Sequence, residues 1–150
     1  MDESGITENL AQENSWSPKG EPTQAKRTGK RTKRTNLITA IRQNRTFAAV
    51  TFEGACKTDT FIEWIERFLL PKLEAGLTII MDNATLHKAA KVRELIESVG
   101  CKLLFLPPYS PDLNPTEQVW ANLKCCVRKG LDAGEKLLTI IGEFFAQRSI

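Results

Sequence analysis

The chain has 150 residues and is 41% hydrophobic, so it is long enough to bury one ordinary core and too short for two full domains. No stretch approaches the roughly 20 apolar residues of a membrane span, and the start Met-Asp-Glu-Ser-Gly is unlike a signal peptide, so we expect an intracellular protein without a membrane partner. The net charge of +3 is unevenly spread: residues 19–45 contain nine Lys or Arg against one Glu and carry +8, while the remainder carries −5.

This basic block favours a polyanionic partner, because each phosphate that is neutralised releases counterions. The alternative is a solvated loop or strand edge, whose charge maintains solubility and discourages aggregation. The predicted DNA contacts in the block are Lys26, Arg27, Lys30, Arg31, Lys33 and Arg34.

The first predicted elements are a loop, a hairpin and a helix. Residues 1–20 show little periodicity and end in the turn signal Trp-Ser-Pro-Lys-Gly, so they are predicted to be mainly loop. Residues 35–41 and 47–52 are rich in β-branched and apolar side chains and flank four polar residues, which predicts an antiparallel hairpin. An amphipathic helix is then expected from residues 58–60 to the region of Pro71 and Gly76. Its apolar face has helical spacing: Phe61, Trp64, Ile65, Phe68 and Leu69.

The second half alternates strands and helices. A strand is predicted over residues 77–81, a helix over 88–99 with Gly100 as its stop, and a strand over 101–106. Asn114 is the predicted cap of the next helix, with Pro115 at its first position, and a last helix is expected over 135–148. This alternation with short connections is typical of parallel strands covered by helices, so the predicted class is α/β with a hairpin first.

Two acids follow the two predicted parallel strands. Asp82 stands directly after the first strand, and Glu117 lies three residues past the cap that follows the second. Ligands gather at the carboxyl ends of such strands, so the two acids are expected to meet. Each acid has a structural alternative: Asp82 could begin an Asx turn, and Glu117 could fold back onto the Asn114 N–H as a capping-box acid.

Carboxylates in this position suit Mg²⁺ or Mn²⁺, which take oxygen ligands. Two such ions can activate an attacking oxygen and stabilise a leaving one in phosphoryl transfer, a chemistry that also accounts for the basic block. A third acid would come from Asp2 or Glu3, and Asp112 is a rival to Glu117. Zinc is not expected, because the four cysteines contain no Cys-x-x-Cys pair and His87 is the only histidine, so reduced cysteines are predicted.

Three motifs carry a resemblance to a known family: Asp-Glu-Ser-Gly from Asp2, Met-Asp-Asn-Ala from Met81 with His87 and Lys88 after it, and Pro-Pro-Tyr-Ser-Pro-Asp-Leu-Asn-Pro-Thr-Glu from Pro107 with Trp120 after it. They resemble the catalytic domain of mariner-type DDE transposases, most of all the bacterial insertion-sequence 630 family. The 34 residues between Asp82 and Glu117 match the spacing of that superfamily. The likeness implies a catalytic domain over residues 1–130, followed by a C-terminal helix over 131–150.

The resemblance implies a ribonuclease-H-like fold, an α/β mixed sheet with flanking helices, in which Asp2, Asp82 and Glu117 are catalytic and bind metal. It implies cleavage of double-stranded DNA at the ends of a mobile element and transfer of the freed strand to target DNA, with two Mg²⁺ or Mn²⁺ ions. Trp120 is expected in the core rather than stacked on a base. The supporting residues are Asn83, His87 and Asn114, and the further DNA contacts, on the helix of Glu117, are Lys124 and Arg128.

Two of these supporting residues have competing interpretations. Asn83 either orients the site or shapes the turn after Asp82. His87 either contacts DNA or a metal-bound water, or it is a surface residue at the start of a helix. The sequence alone leaves both alternatives open.

The chain departs from the family at its start. The family's first catalytic Asp ends the central strand, whereas only Met1 precedes Asp2 here. We therefore expect the first central strand to be largely missing, together with the N-terminal helix-turn-helix region, so that the chain is a truncated catalytic domain in a bacterial cytoplasm, at the nucleoid when bound to DNA. A homodimer and an upstream helix-turn-helix product are the expected protein partners. The alternative function is a non-catalytic remnant that at most binds DNA through its basic block.

Overall fold

The computed structural model describes residues 1–8, 34–108 and 110–149. Its strands are β1 Asp2–Thr7, β2 Arg34–Arg42, β3 Arg45–Glu53, β4 Thr78–Met81 and β5 Lys102–Phe105, and its helices are α1 Thr58–Trp64, α2 Ala90–Ser98, α3 Thr116–Asp132 and α4 Leu137–Ala146. Short 3₁₀ turns cover Leu70–Lys72, Thr85–Lys88 and Pro111–Leu113. Within the described ranges, no helix is long and apolar enough to cross a bilayer.

The predicted hairpin is confirmed. Strands β2 and β3 pair antiparallel, and Arg42 lies opposite Arg45 across a two-residue turn. The turn residues Gln43 and Asn44 both have positive φ, 51° and 62°, as the tight turns that match strand twist require. A bulge shifts the register further along, and there the carbonyl of Ala48 accepts a hydrogen bond from Trp64 Nε1 at 2.7 Å.

A strand covers Asp2–Thr7, so the loop predicted over residues 1–20 is wrong for this stretch. The expectation that the first strand is largely missing is also wrong. Strand β1 pairs antiparallel with β2 from Asp2 opposite Thr39 to Thr7 opposite Arg34. The first strand is therefore built from residues that follow Asp2, and it is present. Only Ile6 and Asp2 of β1 are buried, so the strand carries almost no apolar alternation in sequence and forms because β2 supplies its ladder partners. The rest of the predicted loop, residues 9–20, lies outside the described residues.

The helix predicted from residues 58–60 to the region of Pro71 and Gly76 is confirmed in position, with a change of pitch. After Trp64 the chain continues through a π-helical stretch, Ile65–Leu69, before the 3₁₀ turn that contains Pro71. A π turn is wider than an α turn, so the apolar face rotates. Four of the five predicted face residues are buried, whereas Phe68 stays 40% exposed.

The parallel pair is confirmed and forms the edge where the site lies. Strands β4 and β5 pair in register from Thr78 opposite Lys102 to Met81 opposite Phe105, with α2 as the crossover. Gly100, at φ 74°, ends α2 as predicted. A hydrogen bond of 3.0 Å from the Met1 amino group to the Ile80 carbonyl brings the start of β1 beside β4.

The two faces of the hairpin pack against two separate hydrophobic clusters. The first cluster packs α1 and α2 against the sheets: Ile38, Ala40, Phe47, Ala48, Phe61, Trp64, Ile65, Leu69, Met81, Val92, Ile96 and Cys101. The second packs α3 and α4 on the other side: Ile6, Leu37, Trp120, Leu123, Val127, Leu137, Ile140, Ile141, Phe144 and Phe145. Residues 131 and 132 complete α3, and the proposed division after residue 130 stays a prediction.

Replacing Leu123 with Ala is expected to lower the free energy of unfolding by about 2–5 kcal/mol. Its side chain is fully buried in the second cluster, so the change removes apolar contacts and leaves a cavity. Leu138→Ala makes the same chemical change on α4, where the leucine is 62% exposed, and is expected to cost less than about 0.5 kcal/mol. Urea unfolding followed by circular dichroism measures both, and equal losses would contradict this packing.

Candidate functional site

Asp82 and Glu117 line one cleft, as the strand order predicts. Because β4 and β5 are parallel, their carboxyl ends share an edge, and the backbone N–H of Leu106 donates to the Met81 carbonyl there at 2.8 Å. Four further polar residues line the wall of this cleft: Asn83, Lys88, Ser110 and Asn114. The remaining residues of the cleft wall are apolar: Ala84, Leu106, Pro107, Pro108 and Pro111.

The Asp82 carboxylate divides its two oxygens between different uses. Oδ1 accepts a hydrogen bond from the Ala84 N–H at 3.0 Å, which is the predicted Asx turn, and it also contacts His87 Nδ1 at 2.5 Å. Within the described part of the chain, Oδ2 has no hydrogen-bond partner. The side chain is 43% exposed, so this oxygen is available to a ligand in the cleft.

Glu117 lies in the first turn of α3, but it does not form the capping box. The Asn114 N–H that such a box would use donates instead to the Pro111 carbonyl at 2.9 Å. The Asn114 side chain does cap the helix, because its Oδ1 accepts a hydrogen bond from the Thr116 N–H at 3.1 Å. The Glu117 carboxylate stays exposed and has no hydrogen-bond partner among the described residues.

Asp2 is buried beside this cleft rather than open to it. Its Oδ1 accepts from the Glu3 N–H at 2.8 Å, and its Oδ2 accepts from Asn114 Nδ2 at 2.8 Å and from Trp120 Nε1 at 3.3 Å. Burial raises the pKa of Asp2 to about 6, and repulsion from Glu3 and Asp82 adds to the rise. The predicted third acid therefore lies within electrostatic reach of Asp82.

His87 is fully buried, so the surface position considered for it is wrong. Its Nε2 lies 3.0 Å from both carboxylate oxygens of Glu3, while its Nδ1 faces Asp82. Burial on its own lowers the pKa of His87, but the hydrogen bond and charge of Glu3, with the charge of Asp82, outweigh it and raise the pKa. The ring also packs on Phe61, with 4.5 Å between the ring centroids.

The carboxylates fit a hard divalent cation by their chemistry. In the described ranges, no three His, Cys, Asp or Glu side chains are grouped closely enough to hold an ion by themselves. Mg²⁺ rarely needs such a cage, because it is usually bound by one or two carboxylates, waters and substrate phosphates. Asp82 Oδ2 and the Glu117 carboxylate, both on the cleft wall, are donors of this kind.

Of the predicted basic residues that the structure describes, none lines the cleft. Lys124 and Arg128 share a helix with Glu117, but the cleft wall includes neither. Arg34 is exposed at the start of β2 and lines a separate pocket. The other predicted contacts, Lys26, Arg27, Lys30, Arg31 and Lys33, lie outside the described residues. The four cysteines are free thiols, as expected.

Three residues have a closer connection to the site than the sequence indicated. Glu3 binds His87, Trp120 donates to Asp2, and Lys88 brings a cation to the wall. A buried tryptophan usually finds an acceptor for its N–H, so the core position predicted for Trp120 already implied a polar partner nearby. Lys88 belongs to the motif that begins at Met81, but the motif alone gave it no role at the site.

Replacing Asn114 with Ala is expected to lower the free energy of unfolding by about 2–4 kcal/mol. The change removes a donor from the buried Asp2 carboxylate and the cap of α3 together. Asn122→Ala, at an exposed position on the same helix, is the matched control and is expected to change it by less than about 0.5 kcal/mol. Denaturant titration compares the two, and a loss at Asn114 no larger than at Asn122 would contradict these contacts.

Solved transposase structures share this fold. The Mos1 mariner paired-end complex with Mn matches with a TM-score of 0.72 and 20% identity, over 99% of this chain and 47% of that one. A pre-cleavage Mos1 transpososome matches with a TM-score of 0.68 and 19% identity, over 99% and 54%. The Mos1 transposase catalytic domain with raltegravir and Mg matches with a TM-score of 0.63 and 19% identity, over 78% and 65%.

This chain spans about half the length of the first two Mos1 chains, which it covers to 47% and 54%. At this identity the likeness shows the fold, and it confirms the predicted ribonuclease-H-like α/β architecture with flanking helices.

No curated protein matches the sequence significantly. The family model for the DDE superfamily endonuclease matches residues 1–136, a stretch that contains Asp2, Asp82 and Glu117. The chain therefore belongs to the DDE superfamily of endonucleases.

Proposed function

We propose that this chain is the catalytic domain of a transposase, which cleaves DNA at the ends of a mobile element and transfers the freed strand to target DNA. One observation carries the proposal. Asp82 and Glu117 come from two separate strand ends, yet they line the same cleft with acceptor oxygens that no described residue uses. Family membership supports endonuclease chemistry at this place, and the similar Mos1 structures include a strand transfer complex.

Divalent ions would offset charge on the scissile phosphate and lower the pKa of an attacking water. Asp82, through Oδ2, and Glu117 are the residues that would hold them. Asp2 is the third candidate, and to serve it must share oxygens that already accept hydrogen bonds from Asn114 and Trp120. Lys88 on the same wall would contact a DNA phosphate, since its charge is free to approach a polyanion.

We further infer the finer assignments from the motif resemblance. The chain is assigned to the insertion-sequence 630 group and uses two Mg²⁺ or Mn²⁺ ions. It acts with a second copy of itself or with an upstream helix-turn-helix product, in a bacterial cytoplasm. The mixed set of metals in the similar Mos1 structures, which contain Mn or Mg, supports the choice of cation.

Nicking of supercoiled plasmid in Mg²⁺ or Mn²⁺ tests this function. Asp82→Asn and Glu117→Gln keep the side-chain shapes but remove the charges that bind the ions, so each is expected to reduce the nicking rate about 100-fold or more. Chelation with EDTA is expected to stop the reaction, and added Mg²⁺ to restore it.

Asp132→Asn is the matched control, because Asp132 is an exposed acid at the far end of the helix that carries Glu117 and the Asp82 cleft does not include it. It is expected to nick within about twofold of wild type. Nicking that survives both Asp82→Asn and Glu117→Gln would sink the proposed site. A wild type that binds plasmid in a salt-sensitive way without nicking it would favour the non-catalytic remnant.

Plasmid affinity as a function of salt tests the role of Lys88. If Lys88 contacts a phosphate, Lys88→Ala weakens binding and reduces the slope of log affinity against log salt by about 1. Lys91→Ala is the matched control, because Lys91 lies 3.7 Å from Glu94 on α2 and away from the cleft wall. Filter binding at several salt concentrations gives both slopes, and equal slopes for the two variants would remove Lys88 from the DNA contacts.

A further inference from the structure

His87 joins two acids that come from distant parts of the chain. Glu3 belongs to β1, whereas Asp82 follows β4, and the histidine lies on the 3₁₀ turn Thr85–Lys88. Glu3 and His87 are 84 residues apart in sequence. The imidazole therefore ties the strand that begins at Asp2 to the strand end that carries Asp82.

The surroundings hold the ring in one orientation. Its side chain is 0% exposed, and the Phe61 ring lies 4.5 Å away at an interplanar angle of 39°. Close packing of this kind leaves a buried side chain no room for another rotamer. Both ring nitrogens consequently keep their carboxylate partners.

The partners decide what the ring donates. Ionised carboxylates only accept hydrogen bonds, so a ring nitrogen that bonds to Glu3 or Asp82 must carry a proton, and both nitrogens donate when the ring is charged. On Asp82 the Nδ1 donor and the Ala84 N–H both use Oδ1. Two hydrogen bonds to the same oxygen fix the rotation of the Asp82 carboxylate. Its other oxygen, Oδ2, then faces the cleft without a hydrogen-bond partner among the described residues.

We propose that His87 is a positioning residue, which Glu3 orients and which in turn holds Asp82 with Oδ2 presented to a divalent cation. This role rests on the proposed function, because it is the proposed function that makes Asp82 a ligand of the cation. Histidines and carboxylates placed behind metal ligands in this way set the ligand's orientation, and their loss typically weakens metal affinity 10–100-fold. Glu3, although adjacent to Asp2, acts behind the site because both of its oxygens face His87 at 3.0 Å.

Two amide substitutions separate the two halves of this bridge. An asparagine amide can occupy the place of Nδ1, so His87→Asn retains a donor to Asp82. A glutamine amide reaches the place of Nε2, so His87→Gln retains the bond to Glu3 and loses the one to Asp82. A role in filling the core alone would make the two variants alike, whereas the positioning role makes them different.

Mn²⁺ binding to the full chain, followed by electron paramagnetic resonance of the free ion, gives the first readout. Wild type is expected to bind Mn²⁺ and Asp82→Ala to lose that binding. Among folded variants, His87→Gln is expected to bind about 10–100-fold more weakly than wild type and His87→Asn within about threefold of it. Equal affinities for His87→Gln and wild type, or equal losses in both variants, would overturn the positioning role alone. Equal binding by wild type and Asp82→Ala would instead overturn the proposed metal site, and the positioning role with it.

Nuclear magnetic resonance of the metal-free wild type gives a second readout that needs no histidine variant. His87 is the only histidine, so ¹⁵N-histidine labelling reports on this ring alone. Two ring N–H protons that exchange slowly with water are expected, and Asp82→Asn should shift the Nδ1 resonance more than the Nε2 resonance. A rapidly exchanging or absent Nδ1 proton would overturn the proposal even if both His87 variants fail to fold.

Discussion

The buried carboxylate of Asp2 is the constraint that sets the rest of the site. An ionised carboxylate removed from water is unfavourable by several kcal/mol unless hydrogen bonds replace its hydration. Asp2 obtains three donors, and two of them, Asn114 and Trp120, lie before and within the helix that carries Glu117. The start of α3 is therefore fixed against β1 by the need to solvate one acid. This contact brings Glu117 to the sheet edge where Asp82 stands.

The same edge concentrates negative charge. Burial raises the pKa of Asp2, and repulsion from Glu3 and Asp82 adds to the rise. His87, with a raised pKa of its own, offsets part of this charge between Glu3 and Asp82. Clusters of like charge that work against stability are typical of functional sites, where a ligand of opposite sign relieves the repulsion. A divalent cation has the sign and the ligand preference to do so here.

Structural and functional uses of one residue coexist because they fall on different atoms. Asp82 forms an Asx turn and binds His87 through Oδ1, while Oδ2 remains open to the cleft. Asn114 caps α3 through Oδ1 and supports Asp2 through Nδ2. A structural role of an acid or an amide therefore does not exclude a chemical one, because each oxygen and nitrogen can have its own partner.

Local patterns in the sequence were enough to predict the hairpin, the parallel pair, the stop at Gly100 and the arrival of Asp82 and Glu117 at one edge. Each of these depends on periodicity, turn residues or strand order, which neighbouring residues encode. The strand β1, with Ile6 as its single buried apolar residue, exists because β2 satisfies its backbone, so no local pattern indicates it. The burial of His87 and its bonds to Glu3 and Asp82 likewise depend on how β1, α1 and the end of β4 pack together. Contacts between residues 84 positions apart were decided by the tertiary structure alone, because no short-range signal carries them.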